Sequence, residues 1–266
     1  DGGGAAPGAG PSTTPIPPVS FDALYVANGG DHTVSVIDTT TDEVHGTIAL
    51  RDARYPHHIA LSPDGTRVAL AMPGMDLSGG HGDHGGMAMG GAVLILDAAT
   101  GGTLAARRLP SMNHNAVFSA DGAEVWTSQM EAQGTVLVLD AATLTEKRSI
   151  AVGARPAEVT FTGDGKRAFV ANGAAASVTV IDTATYGVLA TIPVGETPVG
   201  ARQHRPMAEI PTAPGAHAVA FEGGGKKAYV TNQDAASVSV IDIASKKVIK
   251  TIVVGSKPNG AVWRRR

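Results

Sequence analysis

Apolar and polar positions alternate along this 266-residue chain in short runs, and one run occurs five times. "TVSVIDTTT" at 33–41 returns as "AVLILDAAT" (92–100), "TVLVLDAAT" (135–143), "SVTVIDTAT" (177–185) and "SVSVIDIAS" (237–245). Each has the period of two expected of a strand, is rich in β-branched residues, and closes on an Asp and a small polar turn. The closing aspartates, Asp38, Asp97, Asp140, Asp182 and Asp242, stand 59, 43, 42 and 60 residues apart. A unit of about 42 residues therefore repeats, and two units carry insertions of about 17 residues.

Three other runs recur around this one. Strand A precedes a tight turn, as in "HIALSPDG" (58–65), "NAVFSADG" (115–122), "EVTFTGDG" (158–165) and "HAVAFEGGG" (217–225). Strand B reads "LYVAN" (24–28), "FVAN" (169–172) and "YVTN" (229–232), and strand D reads "VLATIPVG" (188–195) and "VIKTIVVG" (248–255). Four strands in a unit of this length predict an all-β fold, a five-bladed β-propeller of four-stranded antiparallel blades. The first unit lacks strand A, and "KPNGAVW" (257–263) supplies it. The ring is thus expected to close by the C-terminal strand completing the N-terminal blade, which removes an exposed sheet edge. The propeller should occupy residues 21–266, after a flexible Gly/Ala/Pro-rich tether over residues 1–20.

The stretch "AYVTNQDAASVSVIDIASKKVIKTIVVG" (228–255) resembles the YVTN-type β-propeller repeat family of prokaryotic secreted and surface proteins. The resemblance covers nearly all of the chain after residue 20 and implies the propeller fold. It implies no single activity, because such propellers host binding, scaffold and enzymatic roles. Family members more often have seven blades, and five is a departure.

Composition narrows the classes. The chain is 43% hydrophobic but only 4% aromatic, so the core must be mostly aliphatic. A net charge of -3 gives no electrostatic footprint for nucleic acid. No apolar run approaches the roughly 18 residues of a transmembrane segment. Cysteine is absent, which excludes disulfides, thiolate metal sites and cysteine nucleophiles. The tether has the make-up of a segment following the cleavage site of an exported protein. The expectation is a periplasmic or otherwise exported protein, with lipid anchoring through the tether as a further expectation.

The blade order also sorts the polar residues. D-to-A and B-to-C connections share one face, and both insertions, 72–91 and 200–216, fall there. So do all seven methionines, Met72, Met75, Met87, Met89, Met112, Met130 and Met207, none of them expected inside a core strand. Eight of nine histidines join them, namely His32, His57, His58, His81, His84, His114, His204 and His217. Aligning the A strands on Leu61, Phe118, Phe161, Phe221 and Trp263 puts His57, His114, Ala157, His217 and Asn259 in one column, four residues earlier. Pseudo-symmetry brings such a column together at the channel mouth.

This predicts a three-His metal site of His57, His114 and His217. The B-to-C insertion supplies His81, His84, Met72, Met75, Met87 and Met89 as a secondary set, and His58, His204 and Met207 are additional candidates. The plainer alternative is a ring of mouth histidines bonded to backbone carbonyls and water. Three imidazoles suit copper or zinc alike. Thioethers favour copper, as Cu(I) or Cu(II), because Met offers zinc little. Three functions fit: a periplasmic copper-binding propeller for storage, delivery or resistance, served by a copper donor or acceptor protein; a copper-dependent oxidoreductase at the same site; and a protein-interaction scaffold with an incidental His/Met face. No phosphate loop in strand–helix context, GxSxG or HExxH occurs, and no catalytic residue is assigned.

Overall fold

Each alternating run forms a strand in the computed structural model, which describes residues 11–77, 90–195 and 210–266. Blade one holds β1 (Ser12–Thr13), β2 (Ala23–Asn28), β3 (Thr33–Asp38) and β4 (Glu43–Arg51). Blade two holds β5 (Ile59–Leu61), β6 (Arg67–Met72), β7 (Ala92–Asp97) and β8 (Thr103–Arg108). Blade three holds β9 (Ala116–Phe118), β10 (Glu124–Gln129), β11 (Thr135–Asp140) and β12 (Glu146–Ala151). Blade four holds β13 (Pro156–Phe161), β14 (Arg167–Asn172), β15 (Ser177–Asp182) and β16 (Val188–Pro193). Blade five holds β17 (Ala216–Phe221), β18 (Lys227–Asn232), β19 (Ser237–Asp242) and β20 (Lys247–Val253), and β21 (Pro258–Arg264) follows. In blades two to five the strands pair antiparallel in chain order, and in blade one the order is β1-β4-β3-β2-β21.

Ring closure is as expected. β21 pairs with β2, placing Trp263 opposite Leu24 and Pro258 opposite Asn28. Turn chemistry explains why each strand C run ends where it does. The Asp182 carboxylate accepts the backbone N–H groups of Ala184 and Thr185 and the Thr185 hydroxyl, at 2.9–3.1 Å. Asp97 and Asp140 cap their turns in the same way. Such side-chain bonds to the backbone two and three residues on are the Asx-turn device.

The expected tether is corrected at its C-terminal half. Ser12 and Thr13 pair with Arg51 and Leu50 as a fifth, outermost strand of blade one. Ile16 packs on the cluster shared by blades one and two, and Val19 is buried within it. An aliphatic pair at this spacing removes enough apolar surface from water to hold the segment down. Residues 1–10 lie outside the described residues.

Aliphatic clusters fill the junctions between blades one and two, two and three, three and four, and five and one. Among the described residues no such cluster joins blades four and five. There Ile192 of β16 and Val219 and Phe221 of β17 stand exposed.

One irregularity recurs at the start of the inner strands. Pairing of β13 with β14 skips from Pro156 to Val159, so Ala157 and Glu158 together face Ala171. His217 and Ala218 face Thr231 in the same way, and Asn259 and Gly260 face Ala27. In blade two the Ala71 carbonyl accepts from His57 N–H while Ala71 N–H donates to the His58 carbonyl, both at 2.9 Å. These are β-bulges, two residues against one, and a bulge re-aims the side chains it carries.

Candidate metal centre

The bulge decides which histidines meet. In a regular strand His57 and His58 would point to opposite faces. Bulged, they turn to the same space, with ring centroids 4.8 Å apart. His114, from the equivalent place in blade three, lies 4.8 Å from His57 and 4.5 Å from His58 between ring centroids. One nitrogen of each of the three rings lies within 4.8 Å of the others, the geometry of a group able to hold a metal ion. His57 and His114 are 1% and 2% exposed, and His58 is half-buried, so the group opens on one side only.

His217 takes a different place from the one expected. Its ring meets His57 edge-on at a centroid distance of 5.6 Å but is not part of the tight group. His217 is exposed. Even so, desolvation by the surrounding protein lowers its pKa below the ordinary imidazole range, against a bond to the Asn259 backbone that favours the charged form. The tight triad is therefore His57, His58 and His114, with His217 beside it. Alternation along strand A separates His58 from its neighbour. The two-against-one pairing that reunites them depends on β6 and has no signature in the local residues.

The other two members of the column are structural. Ala157 is buried and its carbonyl accepts the Ser128 hydroxyl at 2.7 Å. Asn259 donates to the Pro56 carbonyl at 3.2 Å, accepts from the Gln233 side chain, and its carbonyl takes the Thr231 hydroxyl at 2.8 Å. The next residue, Gly260, donates its N–H to the His57 carbonyl at 2.8 Å. A Cβ there would lie 2.8 Å from that carbonyl oxygen, 3.0 Å from Ile59 N and 3.2 Å from His58 Cα. Blade one thus presses bare backbone against the histidine pair, and only glycine fits without moving it.

The methionines need one correction. Met72 was expected on a loop and outside the core strands. It is the last residue of β6, 1% exposed, and belongs to the apolar cluster of blades one and two. Asn28, Asn172 and Asn232 hold the equivalent strand-end position in blades one, four and five. Asn28 and Asn172 donate to the hydroxyls of Thr33 and Ser35 and of Ser177 and Thr179 on the neighbouring strand. Blade two has Ala92 and Leu94 where those hydroxyls stand, so an apolar side chain is the one that fits. Met75 follows on the half-buried segment 73–77, which Asp76 ties to Lys257 through a salt bridge of 2.9 Å. His81, His84, Met87, Met89, His204 and Met207 lie outside the described residues. His45 is peripheral, reaching the Pro17 carbonyl at 3.2 Å and stacking edge-on with Phe21.

Beside the centre, no described helix is long and apolar enough to cross a membrane. No protein-family model and no curated protein sequence matches the chain. Among solved structures it is similar to dihydro-heme d1 dehydrogenase NirN in complex with DHE, at 15% identity over 94% of this chain and 79% of that one, with a TM-score of 0.55. It is also similar to the periplasmic gluconolactonase PpgL of Pseudomonas aeruginosa, at 15% identity over 92% of this chain and 99% of that one, with a TM-score of 0.54. Against hydrazine synthase of Kuenenia stuttgartiensis it has 23% identity and a TM-score of 0.44, over 77% of this chain and only about half, 51%, of the other. Likeness at such identities is one of fold. The chain shares the β-propeller architecture, and the histidine group must speak for the chemistry.

Proposed function

We propose that this protein is a copper-binding β-propeller of the periplasm, serving copper storage, delivery or resistance. The observation that carries the reading is the convergence of His57, His58 and His114, from two blades, within 4.8 Å of one another. His217 stands 5.6 Å from His57 and serves as the fourth, exchangeable ligand on the exposed side. With three imidazoles fixed, the fourth position is left to an exchangeable ligand, which suits uptake and release of an ion. Copper is favoured over zinc because the face is rich in thioethers, Met75 among the described residues and Met87 and Met89 by sequence. Export is supported by the YVTN-type repeat, to whose family we assign the chain, and by the periplasmic gluconolactonase among proteins of the same fold.

Metal analysis joined to anomalous diffraction tests the reading. Protein loaded with copper should hold it in stoichiometric amount, with an anomalous peak at the copper edge between the His57, His58 and His114 rings. Stoichiometric zinc at that position, with copper excluded, would keep the metal centre and overturn the copper assignment. No peak at the triad would overturn both.

A further inference from the structure

A cavity of about 660 Å³ opens on the same face, between blades one and two. Its floor is apolar, formed by Leu50, Met72 and Ala92, and its polar wall carries Arg54, Arg108 and His32. That is the size of a small-molecule site, and its lining is more polar than apolar around the small apolar floor. The charge is unbalanced. Two guanidiniums face one carboxylate, Asp52, and neither makes an ion pair among the described residues.

The wall is built rather than incidental. Asp52 and Tyr55 both adopt left-handed backbone, with φ of 55° and 58°, a conformation that side chains other than glycine rarely take. That double curl buries Ala53 and leaves Arg54 standing at the rim. Arg108 donates one of its five N–H groups to the Asp52 carbonyl at 3.1 Å, which fixes the guanidinium plane. The His32 ring is held by Tyr55, whose N–H donates to Nδ1 at 3.2 Å and whose ring packs edge-on at 4.7 Å.

We infer that this cavity is a second binding site, for a small organic oxyanion with at least two charged oxygen groups. Arg54 and Arg108 each take one such group, because a guanidinium matches carboxylate and phosphate oxygens in pairs. The apolar floor takes the carbon body between them. The inference does not rest on the metal reading, since none of His57, His58 and His114 lines the cavity.

Calorimetric titration of metal-free protein with succinate and, separately, with inorganic phosphate tests it. Saturable one-to-one binding of succinate is expected, weakened at least tenfold by Arg54→Gln and by Arg108→Gln. Arg54 makes no side-chain bond among the described residues, so Arg54→Gln leaves the fold untouched, as its melting curve will show. The His57→Ala/His114→Ala variant should bind succinate as before, which separates this site from the metal centre. Saturable binding of phosphate alone would assign phosphoryl rather than carboxylate groups to the same wall. No saturable binding of either probe, or binding that Arg54→Gln leaves unchanged, would overturn the inference.

Discussion

Blades two and four are copies of one unit, and they differ where it matters. Both start strand A on a bulge, but blade two places His57 and His58 there and blade four places Ala157 and Glu158. Both end strand B against the first residue of strand C, but blade two ends on Met72 and blade four on Asn172. In blade four that Asn knits two hydroxyls at 2.9 and 3.1 Å. In blade two the same position is an oily plug under a cavity and a loop. The comparison teaches that the repeat supplies the same backbone device in several copies, four of them bulged alike. Chemistry arises where individual copies change two or three side chains on it.

The largest test removes the histidines that set blades two and three apart from blade four. Replacing His57 and His114 together by Ala should lower copper affinity by more than about 100-fold, beyond the roughly 10–100-fold that losing an outer partner of a ligand costs. Competition with a chromogenic chelator measures it, and an unchanged circular dichroism spectrum shows that the fold survives. Unaltered copper affinity would remove the functional half of the comparison.

A smaller effect follows from giving blade two the residue of blade four. Met72→Asn buries an amide beside Ala92 and Leu94, which offer it no hydroxyl. An unsatisfied buried amide costs about 1–3 kcal/mol, to be read in urea unfolding. Adding Ala92→Ser should recover part of that loss, because it restores the first hydroxyl that Asn172 uses in blade four. Equal stability of both variants would show that the strand-end position is not a hydrogen-bonding site at all.

The smallest effect separates the two faces by pH. On the turn face, hydroxyl and backbone hydrogen bonds hold the carboxylates of Asp64, Asp121 and Asp164 below the ordinary value, with Asp64 at about 2. A depressed carboxylate stabilises the fold above its unfolded pKa, near 3.9. That contribution fades as the pH falls through the folded value. Melting temperature should therefore drop between about pH 4 and pH 2, slightly less steeply for Asp64→Asn. Copper should leave at a higher pH than the one at which these carboxylates titrate, because the imidazoles must be neutral to bind. Loss of copper and loss of fold at one pH would contradict the division of labour between the faces.

Much of the architecture was legible because period-two alternation, Asp-closed turns and a 42-residue spacing all point to one fold. Even closure by β21 could be read from a missing strand at one end and a spare strand at the other. The histidine column was legible for His57 and His114, whose equivalence follows from the strand anchors. His58 was named only as an additional candidate, because its direction is set by the two-against-one pairing with Ala71, a relation between strands rather than along one. His217 stands beside the tight group, its ring 5.6 Å from that of His57. Met72 was read as a loop residue because its strand end lacks the Asn that marks the other copies. Pairing with Ala92 and burial in the apolar cluster of blades one and two, not local pattern, keep it in the sheet.

The pressure of Gly260 on the His57–His58 backbone has a consequence for when the centre can exist. β21 leaves the ribosome after every other described strand of the ring. Until it arrives, blade one has no inner strand and nothing braces the histidine pair from that side. The arrangement of His57 and His58 therefore depends on the last strand of the ring, so any ion bound at the triad would report completed closure of the propeller.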